Sequence, residues 1–415
     1  MSLQRARAIL LAVMLVTLLG TSGVAMPYPI LAPLFLADQG GITRFAGLHP
    51  KLLLGLVLAL YPLGLLIGSS FIGALSDRYG RRRILTVTLL LSASGYVVAG
   101  VSILAGNYAL FALTRLLTGL CEGNIAVARA AATDLHPVID RTRALSLVFA
   151  TAYAGWLVGP LTGGYLAPLG AHVAFFVAAG ALLLGALAVR MFLEGAPKST
   201  DTPRRLVWRD MVAANSFGLL RHADIRPLFA LHLLFTLGLN AFYDFYPVWL
   251  VETFAYDSRR IATATAVLTG AMILCSTSLV TPLARKVGTR RAVVLSITAF
   301  TLLLGALPWV RPAAAVLALF AVQGAVIAVH NGSFSSWMSE AYQHEGQGRV
   351  LGLLVTVFCT ANVIISLVGS WLTLWGGQWA LVGGAACTAV AVLVLLRIRV
   401  PAPGPGRAIE PAAAA

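Results

Sequence analysis

Residues 73–83 read GALSDRYGRRR, and residues 281–291 read TPLARKVGTRR. With Gly80 set against Gly288, the leucine, a basic residue, the glycine and the arginine pair coincide in the two segments. Each segment follows the second long apolar run of its half of the chain. The two segments therefore indicate an internal repeat, of the kind found in membrane folds that are built from two helical bundles.

The rest of the chain consists mainly of long apolar runs. Of its 415 residues, 59% are hydrophobic and 11% are charged, whereas soluble domains carry roughly 25% charged residues. Because about 20 apolar residues cross the hydrocarbon core, such runs are typical of membrane-spanning helices. The sequence predicts an all-α polytopic membrane protein with twelve spans, near residues 8–36, 51–75, 84–105, 108–133, 144–167, 171–194, 227–250, 261–284, 292–310, 313–338, 350–375 and 377–396.

The cations predict how these spans are oriented. Segments on one side of the predicted membrane hold 23 Lys and Arg residues, and loops on the other side hold 5. By the positive-inside rule, both termini are expected to lie in the cytoplasm. The protein is expected in the inner (plasma) membrane of the cell. This distribution explains the net charge of +15 without nucleic acid as a partner. Arg5 and Arg7 before an apolar run also suit a secretory signal, but an uncleaved first helix is favoured because the run continues to Leu36.

The longest polar interruption suggests the domain boundaries. It predicts a six-helix bundle over residues 1–194, a cytoplasmic linker over 195–226, a second six-helix bundle over 227–400 and a disordered tail over 401–415. The four cysteines lie in apolar runs without metal-ligand spacing, so neither a metal nor another cofactor is expected. The sequence lacks a G-x-x-x-x-G-K-[ST] loop and the H-E-x-x-H and G-x-S-x-G motifs, which disfavours an ATP-driven pump, an intramembrane enzyme or a receptor.

Residues 73–83 resemble the signature loop of the major facilitator superfamily, and the resemblance covers about residues 8–398. It implies a monomeric transporter in which this loop acts as a conformational latch. Asp77 is expected to face a helix of the other half, and Arg78 and Arg81 to pair with Asp77 or Asp134. The predicted latch residues are Gly73, Asp77, Arg78, Gly80, Arg81 and Asp134. The alternative is a loop whose cations only set the topology.

Arg115, Gly119 and Gly123 resemble the fourth-helix motif of the same family. Arg115, Glu122 and Arg129 are seven residues apart, which predicts one stripe along a continuous helix. Since an ionisable residue in hydrocarbon costs about 2.5–3.5 kcal/mol, such residues normally face a cavity and bind protons or substrate. A structural salt-bridge ladder is the alternative.

A third motif, on the predicted fifth helix, is similar to the one associated with antiporters in this family: Gly155, Gly159, Pro160, Gly163 and Gly164. The middle of the chain most resembles the tetracycline and multidrug proton antiporters. Unlike those relatives, it has no carboxylate in residues 17–23 or 92–98. A plain role in helix packing is compatible with the same glycines.

Other polar residues within the spans complete the candidate site. Asp244, one turn from Asn240, is a second candidate proton or cation site, although it could lie at the outer mouth. The remaining candidates for substrate contact are His330, Asn331, Trp337 and Tyr28.

The combined prediction is proton-coupled export of small amphipathic or drug-like molecules by alternating access. The alternative within the same fold is uptake of a metabolite or organic anion, with Arg115 and Arg129 as anion ligands.

Overall fold

A computed structural model describes residues 2–37, 40–193, 225–341 and 347–397 of the chain. We refer to residues 2–193 as the first half and to residues 225–397 as the second half. The helices within these ranges, numbered in chain order, are α1 (Leu3–Ala25), α2 (Tyr28–Leu36), α3 (Pro50–Tyr79), α4 (Arg81–Leu104), α5 (Tyr108–Cys121), α6 (Asn124–Thr133), α7 (Arg141–Leu166), α8 (Ala171–Phe192), α9 (Ile225–Phe254), α10 (Ser258–Ser278), α11 (Val280–Val287), α12 (Thr289–Ala306), α13 (Ala313–Ala341), α14 (Gln347–Leu372) and α15 (Gly377–Arg397).

Twelve helical stretches of the described chain are long and apolar enough to cross a membrane, which confirms the predicted all-α polytopic fold. Within the first half α4 packs on α8 and α3 on α5, and within the second half α9 packs on α15 and α10 on α13. The predicted linker lies outside the described residues except for its last two positions, and the predicted tail lies wholly outside them. The side on which the termini lie stays a prediction.

Two of the spans are interrupted. The first breaks between α1 and α2 at Met26 and Pro27. The fourth breaks between α5 and α6 at Glu122 and Gly123, although the sequence predicted a continuous helix there. Gly123 lies at the crossing of this span with α3: a Cβ on it would lie 3.2 Å from the Cα atom of Ser69.

Close packing joins α7 to α1 and to the second half. A Cβ on Gly159 would lie 3.0 Å from the Cβ of Ala25 in α1, so only glycine fits at this crossing without movement. Gly164 stands at the crossing with α10, where an added Cβ would lie 2.6 Å from the carbonyl oxygen of Ser258. The glycines predicted to allow close helix approach on α7 therefore do so in the structure.

The two halves meet along α3 with α14, α7 with α10, and α2 with α9 and α10. Because α3 has 30 residues and a helix rises 1.5 Å per residue, it is about 45 Å long. Lys51 near its start and Arg81 just beyond its end therefore mark opposite ends of the bundle. We call these the Lys51 end and the Arg81 end.

Candidate functional site

A cavity of about 390 Å³ lies between the two halves. The first half contributes five of its 24 lining residues, namely Tyr28, Leu65, Tyr153, Trp156 and Pro160. The second half contributes the other nineteen, from α9, α10, α13 and α14. None of the described residues in this lining is an Asp, Glu, Lys or Arg. The cavity can therefore hold a ligand mainly through ring faces and neutral polar groups, and the second half supplies most of them.

Stacked rings form one wall of the cavity. The ring of His330 lies 3.6 Å from that of Phe235, and the ring of His232 lies 4.6 Å from that of Phe334, both in stacked geometry. Phe235 also packs on Phe300 behind the wall, with ring centroids 5.2 Å apart. This packing holds two imidazoles in fixed orientations within an aromatic surface.

Several buried polar atoms at the cavity have no hydrogen-bond partner among the described residues. They are His232 Nδ1, Thr236 Oγ1, Asn240 Oδ1 and His330 Nε2. The amide nitrogen of Asn240 donates to the carbonyl oxygen of Phe358 at 3.2 Å, which fixes that side chain while its oxygen stays unbonded. Since an unsatisfied buried polar group costs about 1–3 kcal/mol, these four atoms favour a ligand or water that bonds to them.

Asp244 lies on α9 one turn beyond Asn240, but it does not line the cavity. It is 4% exposed and accepts a hydrogen bond from Ser366 Oγ of α14 at 2.6 Å. Tyr28, which does line the cavity, interacts electrostatically with both Asp244 and Arg115. Tyr28 thus interacts with the buried acid of the second half and with the buried base of the first.

Glu122 and Arg115 form a buried cluster in the first half, outside the cavity lining. Glu122 is 1% exposed, and neither of its carboxylate oxygens has a hydrogen-bond partner among the described residues. The guanidinium of Arg115 lies 4.7 Å from the ring centroid of Tyr61, and Glu122 interacts electrostatically with Arg115, Tyr61 and Tyr96. The arrangement gathers a carboxyl group, a guanidinium and two phenols without an ion pair between them.

The continuous helix that was predicted through Arg115, Glu122 and Arg129 is interrupted. One helix ends at Cys121 and the next begins at Asn124, so Glu122 lies in the break between them. Arg129 instead places its guanidinium 4.5 Å from the ring centroid of Phe149 on α7. No salt-bridge ladder joins these three residues.

At the Arg81 end, Arg81 pairs with Asp77 at 3.1 Å and with Asp134 through its Nε atom. All three residues belong to the first half, so the pairing that was predicted for Arg81 is present, whereas a contact of Asp77 with the other half is not shown. Arg78 lies 5.3 Å from the ring centroid of Tyr79 and joins neither carboxylate. A Cβ on Gly73 would meet nothing within 4 Å, so no close helix contact requires glycine at this latch position. Gly80 adopts a φ of +85° in the turn between α3 and α4, which suits glycine.

At the Lys51 end, contacts that the sequence did not predict join the two halves. Lys51 Nζ lies 2.5 Å from Glu252 Oε1 and donates to the carbonyl oxygen of Thr373 at 2.6 Å. Glu252 Oε2 accepts a hydrogen bond from the backbone N–H of Gly377 at 2.6 Å. This network joins α3 to α9 and to the loop between α14 and α15. Its members are distant in sequence and belong to no motif, so no sequence signal could have paired them.

The predicted site residues therefore fall into two groups. Tyr28, Asn240, His330, Asn331 and Pro160 line the cavity. Glu122, Arg115, Asp244, Arg129 and Trp337 do not, and Trp337 instead packs edge-on against Phe334 behind the wall, 6.0 Å between ring centroids.

The sequence of the chain is similar to those of known membrane transport and resistance proteins. A family model described as Major Facilitator Superfamily matches residues 13–317 and 267–414. The tetracycline resistance protein, class H, of Pasteurella multocida is 29% identical over 173 residues, which are 41% of this chain and 40% of that protein. Multidrug resistance protein 2 of Bacillus subtilis is 23% identical over 245 residues, which are 58% of this chain and 60% of that protein. The chain thus spans about two fifths to three fifths of the length of these relatives.

Solved structures show the same fold at low identity. The nucleoside transporter NupG is 11% identical with a TM-score of 0.73, covering 94% of this chain and 98% of that chain. The human organic anion transporter MFSD10 is 20% identical with a TM-score of 0.69, covering 94% and 99%. The D-xylose-proton symporter is 17% identical with a TM-score of 0.69, covering 94% and 97%.

Proposed function

This chain belongs to the Major Facilitator Superfamily, and on that premise we propose that it is a secondary transporter of the inner membrane that exports small amphipathic, aromatic molecules in exchange for protons. The chemistry of the central cavity is the observation that carries this proposal. The resemblance of the chain to resistance proteins supports export as the direction of transport.

The cavity suits a planar, mainly apolar ligand with a few hydrogen-bonding groups. Its volume of about 390 Å³ falls within the range of about 300–1,000 Å³ typical of small-molecule sites. Aromatic side chains from both halves, among them Tyr28, Trp156 and Phe334, can stack on ligand rings. The unpartnered atoms of Thr236 and Asn240 can bond to the polar edge of the ligand. A delocalised cation is also compatible, because ring faces attract cations.

Proton coupling rests on two buried carboxyl groups, one in each half. An isolated carboxylate is unfavourable in a low-dielectric interior, so a group without a cationic partner is neutralised by a proton. Within the described ranges, Glu122 has no ion pair, and Asp244 is bonded by a serine hydroxyl rather than by a cation. We assign proton binding to both, with Arg115 and Tyr28 as the groups that link them electrostatically.

Alternating access would depend on the Lys51 network, which we propose keeps its end of the cavity closed. If the Arg81 end is cytoplasmic, as the cation distribution predicts, the Lys51 end faces the outside. Export then requires the Lys51 network to break. An inward proton gradient supplies the energy, since each charge that crosses 100 mV releases about 2.3 kcal/mol.

The test is transport in proteoliposomes that contain a fluorescent planar aromatic dye. An imposed proton gradient should drive dye accumulation on the side that corresponds to the cell exterior, and a protonophore should abolish it. Trp156→Ala should reduce this transport, whereas Trp309→Ala, at an exposed tryptophan outside the cavity, should not. Dye movement that ignores the gradient contradicts proton coupling, and gradient-driven movement in the same direction as the protons contradicts export.

A further inference from the structure

A second cavity, of about 300 Å³, lies at the Arg81 end on the outside of the first half. The guanidinium-bearing residues Arg82, Arg83 and Arg190 line it together with Tyr79, Thr86 and Val87. It stands where α4 begins and α8 ends, and neither the central cavity nor the Arg81 pairing includes these arginines. This cavity is therefore separate from the central cavity and from the Arg81 pairing.

The cavity concentrates positive charge without an opposing carboxylate. Within the described residues, none of the three arginines forms an ion pair, and no Asp or Glu lines the cavity. Arg82 donates through Nη2 to the carbonyl oxygen of Arg190 at 2.8 Å, which fixes the two helix ends against each other. Because like charges repel at short range, a cluster of this kind favours an anion between its members.

The cations continue into two exposed apolar stripes. On α4, Arg83 is followed by Val87 and Leu90 at helical spacing, and on α8, Arg190 is preceded by Leu187 and Leu183. These four apolar side chains are between 45% and 53% exposed. Since α4 and α8 pack against each other and run in opposite directions, both stripes lead from the cationic end toward the membrane interior.

We propose that this groove binds the phosphate of an acidic phospholipid, with its acyl chains along the two stripes. Arginine forks bond phosphate oxygens in pairs, and basic pockets between membrane helices bind acidic head groups. A free phosphate ion would contact only the cationic end of the groove and not the apolar stripes. The exposed stripes therefore favour a phospholipid over a free phosphate ion as the ligand.

The test is retention of lipid by the purified protein, measured by native mass spectrometry after incubation with equal amounts of phosphatidylglycerol and phosphatidylcholine. The unmodified protein should retain phosphatidylglycerol preferentially. The double variant Arg83→Gln and Arg190→Gln should lose this preference by about tenfold. Arg83→Lys with Arg190→Lys should keep part of it, because lysine keeps the charge but not the bidentate fork. The Lys variant also shows that loss in the Gln variant reflects charge rather than misfolding.

The matched control removes two exposed cations from the last turn of α11 in the second half, with Arg285→Gln and Lys286→Gln. It should retain the lipid as the unmodified protein does. Equal loss in the control and in the Arg83/Arg190 variant would overturn the proposal in favour of non-specific charge. Displacement of the lipid by millimolar inorganic phosphate, or equal retention of both lipids by the unmodified protein, would also overturn it.

Discussion

Lys51 Nζ lies 2.5 Å from Glu252 Oε1, so a single ion pair joins the start of α3 in the first half to the end of α9 in the second. The side chains are 13% and 25% exposed, and each makes a further hydrogen bond to a backbone group of the second half. The pair is therefore shielded better than a surface salt bridge, which contributes only about 0–1 kcal/mol. In our proposal, this ion pair holds the Lys51 end closed.

Lys51→Gln should shift the population toward a form open at the Lys51 end. A loss of about 1–2 kcal/mol corresponds to roughly a 5- to 30-fold change in the ratio of the two forms. Spin labels at Leu48 and Trp375, exposed residues on either side of this end, should report a longer distance. The charge-swapped variant Lys51→Glu with Glu252→Lys should restore much of the closed population. An unchanged distance in Lys51→Gln would show that the ion pair does not hold this end closed.

Gly164→Ala should open the same end by a steric route. An added Cβ would lie 2.6 Å from the Ser258 carbonyl oxygen, and overpacking of this kind costs about 1–3 kcal/mol. The Leu48–Trp375 distance should increase without a change in the cavity residues. Gly180→Ala is the matched control, because a Cβ there meets nothing within 4 Å. A larger distance in both variants would contradict the steric explanation.

Thr236→Val should weaken ligand binding without lowering stability. The Thr236 hydroxyl lies at the cavity and has no partner within the described chain, so replacing it by an isosteric methyl group removes only a bond to the ligand. We expect a dissociation constant about 5- to 12-fold higher, from a lost hydrogen bond of about 1–1.5 kcal/mol. Quenching of Trp156 fluorescence measures binding, and thermal unfolding measures stability. Thr388→Val, at a buried threonine outside the cavity, should leave binding unchanged.

Glu122→Gln and Asp244→Asn should uncouple transport from protons. Each variant keeps the shape of the side chain but cannot exchange a proton. Gradient-driven accumulation should fall by at least about tenfold, whereas exchange of labelled for unlabelled substrate at equal pH should continue, since that exchange needs no net proton movement. Asp257→Asn, at an exposed helix cap, is the control. Full gradient-driven accumulation in both carboxyl variants would refute the assignment of the proton sites.

The sequence was sufficient to predict the fold, because a membrane-spanning helix can be recognised locally from the length and apolarity of its segment. It was also sufficient for the pairing of Arg81 with Asp77, which are four residues apart on adjoining helix ends. The break at Glu122 and Gly123 escaped prediction, because α3 passes closely there and a continuous helical pattern gives no sign of that contact.

The composition of the cavity could be predicted only in part. Asn240 and His330 were identified because polar residues in apolar spans are conspicuous. The sequence did not identify three aromatic residues of the lining, Phe235, Phe334 and Phe358. An aromatic residue that faces a cavity has the same sequence pattern as one that is packed between helices. Lys51 and Glu252 were missed because only the tertiary arrangement brings them together.

The uneven wall of the central cavity has an evolutionary consequence. Most of the surface that a ligand meets comes from α9, α10, α13 and α14, while Glu122 and its neighbours lie in the other half behind the wall. Substitutions in the stacked rings of the second half can therefore change which ligands the cavity accepts and leave that acidic cluster intact. Under the proposed export function, the range of exported compounds could widen by point mutation while the proton-binding residues stay unchanged.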